Sequence, residues 1–173
     1  DYYFSTDAQS VAIQQAYKIF LATLFELTGS DTTAAKHSAD LVYGIDKQLA
    51  ASHRDNVALR DITANYNKMA VAELVQKEPN IGWSTLLDNI GAKTDSIDVS
   101  QPAYYEKLNA LLVSVPINDW KVYLKAYTLN NYCSHLSQAF ADAAFAYNKI
   151  VSGQAAQKAR GELMADATDT YLG

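Results

Sequence analysis

The stretch TDAQSVAIQQAYKIFLATLFELTGSDTTAAKHSADLVYGIDKQLA, residues 6–50, decides the fold class. Thr6 and Gln9 have the spacing of a capping box, in which a hydroxyl accepts from a backbone N–H and an amide reaches back. Behind them Ile13, Tyr17, Phe20, Leu24 and Leu27 recur at steps of three and four, which places one apolar stripe on a helix. Gly29 supplies a stop and Ser30-Asp31 a fresh start. Ala34, Ser38, Leu41, Ile45 and Leu49 then repeat the same spacing. Two amphipathic helices joined by so short a link form an antiparallel hairpin.

Working outward, the pattern stays helical but becomes irregular. Residues 52–68 lose periodicity and read as a structured polar loop. A short helix over 70–77 ends at Glu78-Pro79, and another over 83–90 ends at Gly91. Residues 94–100 alternate weakly through Ile97 and Val99, as an extended connector or one short strand. Pro102 suits the first turn of a helix, where its missing N–H costs nothing. Tyr105, Leu108, Leu112 and Val115 are the expected buried edge of that helix. After Pro116, the residues Trp120, Tyr123, Leu124, Tyr127, Leu136, Phe140, Ala143, Tyr147 and Ile150 form one long C-terminal helical run to Gly153, with Asn130-Asn131 as a place for a kink or break. A last amphipathic piece covers 154–172. The expected fold is all-α: an irregular multi-helix domain over 1–173 with roughly six to eight unequal helices.

Composition agrees with that class. The chain has 173 residues, half of them apolar, a fifth charged, and only seven Gly and three Pro. That balance fits a globular domain able to bury a core. A formal net charge of −5 without any basic cluster argues against a nucleic-acid or anionic-membrane partner. The one cysteine, Cys133, excludes an intrachain disulfide. No apolar stretch reaches membrane-spanning length. A first residue of Asp rather than Met is what a processed or excised piece would show.

Chemistry is harder to find. His37, His53 and His135 are scattered, and none stands in H-E-x-x-H, which would put two zinc ligands on one helical face. His37 with Asp40 is at most half a metal site, since zinc needs three or four converging ligands. Cys133 and His135 lie two apart and point in different directions on a helix, so Cys133 reads as a small buried residue. Asp40, Asp46, Asp142, Asp166 and Asp169 read as solvated or ion-paired helix surface. The twelve tyrosines are core residues with hydroxyls at the edge, with a minority available to line a groove. Neither a Gly-rich phosphate loop nor G-x-S-x-G is present. No catalytic and no metal-ligating residue is assigned.

Several short elements, in order along the chain, resemble the N-terminal region of the neprilysin and endothelin-converting-enzyme family of zinc metallopeptidases, in a bacterial form. They are Asp1-Tyr2-Tyr3; Ile45-Asp46-Lys47-Gln48-Leu49-Ala50; Arg60-Asp61 followed by Tyr66-Asn67-Lys68-Met69; Asp119-Trp120-Lys121-Val122-Tyr123-Leu124; Leu136-Ser137-Gln138-Ala139-Phe140; and Ser152-Gly153-Gln154. Tyr-Asn-Lys-Met is the most specific of them. Ile62 stands where the family usually has Pro, and Gly161 where it has Trp.

The resemblance implies a two-lobed peptidase in which a thermolysin-like lobe carries zinc and its ligands. A helical lobe closes over it, admitting oligopeptides and excluding folded proteins. By that resemblance this chain is a non-catalytic fragment of the helical, substrate-limiting lobe, inactive alone and holding no cofactor. Zinc belongs to the remainder of the parent protein. Its partners would be the catalytic lobe of the same protein and peptide substrates, outside the cytoplasm in the periplasm, secreted or membrane-anchored. An apolar face left uncovered would favour self-association. Arg60, Asp61, Tyr66, Asn67, Lys68 and Met69 form the structural family motif. It is expected to act as a joint, with Tyr66 and Met69 inserted among helices and Arg60, Asp61 and Asn67 satisfying loop backbone groups. Two other readings stand beside this one. One is a free-standing helical binding module with a tyrosine-rich face, and the other an independent enzyme using His53 or His135. The reading frame after Gly173 separates the first two.

Overall fold

The computed structural model describes residues 2–172. Asp1, the head of the Asp-Tyr-Tyr resemblance, lies outside the described residues. Nine α-helices, two 3-10 turns and a two-stranded antiparallel ribbon account for the regular structure of the described residues. The chain divides into two compact units, Asp1–Gly44 with Lys121–Gly173, and Ile45–Trp120. The divisions fall inside α2 (Thr32–Ala50) and α7 (Ile117–Tyr132).

The first unit is built on α1 (Ala8–Leu27). Its cap sits one residue later than the capping-box reading: Asp7, not Thr6, is in extended conformation and accepts from the Ser10 backbone N–H at 2.9 Å. A carboxylate at this position satisfies an orphan donor and complements the helix dipole. Bonds from Ser10 and Ser5 hold the Asp7 carboxyl well below the ordinary carboxylate range. The helix ends in a Schellman motif, with the Ser30 N–H donating to Phe25 O at 3.1 Å and the Gly29 N–H to Glu26 O at 2.9 Å. Gly29 has φ +95°, a conformation other residues adopt only under strain. Asp31 then caps α2 by accepting from the Thr33 and Ala34 N–H groups, both at 2.9 Å.

The hairpin core holds Leu21 and Phe25 of α1 with Ala35, Ala39 and Val42 of α2 and Ala126 of α7. This shifts the α2 stripe by one residue in its first half, because Ala34 is exposed while Ala35 is fully buried. Small side chains let the helix approach closely, and ranking positions by size misses them. Leu27, expected on the α1 stripe, is partly exposed, and Leu21 and Phe25 are buried in its place. On the other side of α1, Phe20 and Leu24 pack with Cys133 and with Phe140, Ala143, Ala144 and Tyr147. The Phe20 and Tyr147 rings stack at 5.2 Å.

The long C-terminal run is two helices. After α7, a 3-10 turn over Cys133–His135 and an extended Leu136 lead through Ser137 into α8 (Gln138–Ser152). The break comes just past Asn130-Asn131, which stay helical. Both sides of it serve one cluster, since Cys133 and Phe140 pack against the same residues of α1. Gly153 ends α8, and α9 (Arg160–Leu172) begins six residues later than the amphipathic reading.

The second unit contains the end of α2 and a loop bearing a 3-10 turn, Ala58–Arg60, and the one-turn α3 (Ile62–Asn65). Then come β1 (Lys68–Ala70), α4 (Val71–Lys77), α5 (Trp83–Asn89), β2 (Ser96–Asp98) and α6 (Pro102–Ser114). Pro102 occupies the first turn of α6 as its ring requires. On α6 it is Leu111 that is buried, whereas Leu112 is exposed. Leu74, Trp83 and Val99 form the core, flanked by Met69, Ile81, Ile97 and Tyr105. β1 and β2 pair with Met69 opposite Ile97, so alternation sends both side chains to this core. Among the described residues, no helix is long and apolar enough to cross a membrane.

Candidate functional site

The family-like element 60–69 lies wholly in the second unit, on the approach to β1. Its geometry starts with Asp61, whose carboxylate accepts from the Ala64 N–H at 3.0 Å and starts α3. Asn67 follows as a three-way tie. Its N–H donates to Asp98 Oδ1 at 2.7 Å, its side-chain Nδ2 to Ala64 O at 3.0 Å, and its carbonyl accepts from the Val99 N–H at 3.0 Å. Lys68 then pairs across the ribbon with Asp98, and Met69 drops into the Leu74, Trp83 and Val99 core. Asp61 and Asn67 thus each bond a backbone group of Ala64. Arg60 contributes a backbone N–H to Val57 O at 3.0 Å.

Tyr66 departs from the joint reading. Its side chain is 64% exposed, so it does not insert among helices. Tyr66 ends α3 in extended conformation, before β1 begins; on β1 itself, Met69 faces the core and Lys68 is turned to solvent by strand alternation. Within Tyr-Asn-Lys-Met, Met69 anchors by packing and Asn67 by hydrogen bonds.

The strongest tie in the loop comes from Arg54, which sequence reading passed over. Its Nη1 donates to Ala64 O at 2.6 Å and to Asn65 Oδ1 at 2.7 Å, and its N–H donates to Gln101 Oε1 at 3.0 Å. Asn65 Nδ2 reaches Leu59 O at 2.7 Å, and Asp55 Oδ1 accepts from Val57 and Ala58 at 2.9 and 2.8 Å. The Asp-x-x turns at Asp55 and Asp61 are visible in sequence. Arg54 is not, because its partners lie ten, eleven and 47 residues on, beyond the reach of a local turn pattern.

A cleft of about 230 Å³ opens beside this element, lined by His53, Asp98, Ser100, Gln101, Tyr104 and Tyr105. It is smaller than the roughly 300–1,000 Å³ of ordinary ligand pockets. His53 packs edge-on against the Tyr104 ring at 4.8 Å. Asp98 and Gln101 are already engaged by Asn67 and Arg54. The groups hold the loop together and form no nucleophile–base pair.

The other candidates stay apart. Asp40 pairs with Lys18 at 2.7 Å on an exposed surface. Asp166 pairs with Lys158 at 2.6 Å, and Asp142 accepts from Gln138 Nε2 at 2.8 Å. His135 lies edge-on to Tyr132 at 6.2 Å. Cys133 is buried, donates to Leu129 O at 3.0 Å, and its thiol is pushed up to about 11 by burial. It is therefore a protonated core residue. Among the described residues, no three His, Cys, Asp or Glu side chains converge as a metal site would require.

One buried acid stands in the second unit's core. Glu78 is 2% exposed, and its Oε2 accepts from Trp83 Nε1 at 2.9 Å. Burial raises its pKa above the ordinary carboxylate range; the Trp83 bond opposes the shift and Glu106 adds to it.

Comparison with known proteins places these features in a family. The sequence model of Peptidase family M13 matches residues 1–173. Human endothelin-converting enzyme-like 1 is 27% identical over 148 residues, covering 82% of this chain and 19% of that protein. Neutral endopeptidase of Lactobacillus helveticus is 23% identical over 131 residues, covering 75% of this chain and 20% of its own. In fold, the chain is similar to the Mycobacterium tuberculosis zinc metalloprotease Zmp1 in complex with an inhibitor. That likeness has a TM-score of 0.90 at 24% identity, over 99% of this chain and 27% of Zmp1. PepO from Lactobacillus rhamnosis gives a TM-score of 0.84 at 18% identity, over 98% of this chain and 27% of PepO. The chain thus spans about a fifth of the curated relatives' length and about a quarter of the solved structures'. Because the M13 model matches this chain over all of residues 1–173, the chain belongs to peptidase family M13, in the N-terminal domain of that family.

Proposed function

We propose that this chain, taken as a single helical domain over 1–173, is a non-catalytic part of a zinc metallo-endopeptidase acting on oligopeptides. It belongs to the lobe that caps the active-site cavity and limits substrate size, and it is inactive by itself. The observation that carries the reading is the family match over the whole chain. Zinc and the groups that activate water lie in the remainder of the peptidase. The principal partner is the catalytic lobe of the same protein, with peptides as substrates, outside the cytoplasm. Within the domain, Arg60, Asp61, Tyr66, Asn67, Lys68 and Met69 serve as a structural element. Within it Asn67 and Met69 fix β1 against the second unit's core, and none of the six takes part in hydrolysis.

The free-standing binding module has one observation in its favour, a cavity in the first unit lined by Tyr2, Tyr3, Tyr17, Tyr43 and Tyr147. Its volume is about 70 Å³. That is well short of the roughly 300 Å³ at which small-molecule sites begin.

The test compares the 173-residue chain with a longer chain that continues into the rest of an M13 peptidase. The longer chain is expected to cleave an unstructured oligopeptide in a chelator-sensitive way and to spare a folded protein. The 173-residue chain is expected to cleave neither. Chelator-sensitive cleavage by the short chain, or equal cleavage of folded protein by the long one, would contradict the reading.

A further inference from the structure

The loop that carries the family-like element is held by hydrogen bonds and not by apolar packing. Its polar side chains bond to the loop's own backbone and to one another: Arg54 holds Ala64 and Asn65, Asn65 holds Leu59, Asp55 and Asp61 start the two short turns from exposed positions, and Asn67 returns to Ala64. Its apolar side chains turn outward. Val57 is 76% exposed, Leu59 40%, Ile62 84% and Tyr66 64%. Single exposed apolar residues are ordinary, but four large ones in one short loop leave apolar surface that water does not satisfy. Here the hydrogen bonds fix the backbone, so the four apolar residues, all within ten positions, are presented on a scaffold that does not need them for its own packing.

We infer that this face, centred on Ile62 and Tyr66, docks against the part of a full-length M13 polypeptide that lies outside these 173 residues. The inference rests on the peptidase reading above and names the surface through which it would operate. The occupant follows from chain length. The matched region is 28% of the Zmp1 chain in its open-state structure and 27% of PepO. Most of the polypeptide in such proteins is therefore beyond it, joined covalently and present at high effective concentration. An aromatic and three aliphatic side chains on a pre-organised loop match the composition of an interface centre, where charged groups are depleted. Pre-organisation also lowers the ordering cost of docking.

The experiment is hydroxyl-radical footprinting of Ile62 and Tyr66 in the 173-residue chain and in the longer chain, each at two concentrations. Labelling of both residues is expected to be high in the short chain and severalfold lower in the longer one. Ile62→Asp should leave the melting temperature of the short chain unchanged and lower that of the longer chain. Ile62→Ala provides the same comparison without a buried charge. Equal labelling in the two chains, or no loss of stability in the longer chain from either variant, would overturn the inference. So would labelling in the short chain that falls as its concentration rises, because the occupant would then be a second copy. A peptide-cleavage assay on the longer chain separates the two levels. Zinc-dependent cleavage with undiminished labelling removes this surface and leaves the peptidase reading standing, while protection without cleavage does the reverse.

Discussion

The α1–α2 hairpin of the first unit and the loop 53–67 of the second solve the same problem in opposite ways. Each must fix a chain reversal. The hairpin does it with apolar burial; Asp7 and Asp31 cap its helices, Gly29 reverses the chain, and the cross-helix ion pair of Lys18 with Asp40 lies on the exposed surface. The loop does it with hydrogen bonds around Arg54, Asn65 and Asn67, and leaves its apolar side chains outside. The hairpin's stability is therefore a property of its own packing. The loop's shape is a property of its polar network, and its apolar residues are free for another surface.

The largest effect should come from Phe20→Ala. Phe20 is 3% exposed and stacks on Tyr147, so the deletion removes buried area and leaves a cavity. Urea denaturation is expected to show a loss of about 3–5 kcal/mol. A loss below a third of that would mean that α8 does not pack on α1 as described. Arg54→Ala should cost less, about 1 kcal/mol for the exchanged hydrogen bonds. It should also speed amide exchange across 55–66 while leaving the hairpin protected. Uniform acceleration throughout the chain would show that the loop has no independent network.

Glu78→Gln tests the second unit's core through pH. Because burial raises the folded carboxyl above its ordinary value, the folded state prefers the protonated acid. That stability is present below the ordinary carboxylate range and is lost as pH rises toward the raised folded value. Gln keeps an oxygen for Trp83 Nε1 and cannot ionise. The variant should therefore melt higher than the parent at pH 7 and close to it at pH 4. The reverse order would place an unseen positive partner at Glu78. Smallest of all is Tyr66→Ala, expected within about 0.5 kcal/mol of the parent because the ring is mostly solvated. A loss comparable to that of Phe20→Ala would restore Tyr66 as a buried anchor.

What the sequence made legible follows the same division. Elements fixed by local chemistry could be read directly: Asp31 as a start, Gly29, Gly91 and Gly153 as stops, Pro102 at a first turn. Helix faces were read less well, by one residue, wherever a small side chain does the packing. Ala35 and Ala39 carry no hydrophobic signal comparable to Leu41, yet they are the ones buried. β1 was hidden because Lys68 and Ala70 are poor strand formers, held by pairing to a segment some thirty residues on. The same distance hid the site. The family-like residues 60–69 were visible as a string, but the meaning of Asn67 depends on Asp98, and that of the loop on Arg54 and Gln101.

The most direct test of the central claim, that this domain holds no catalytic metal of its own, is its zinc content. The purified 173-residue chain is incubated with zinc, separated by gel filtration and analysed for bound metal. The account predicts far less than one zinc per chain after separation. One tightly held zinc per chain, released by a chelator together with loss of peptide cleavage, would contradict it.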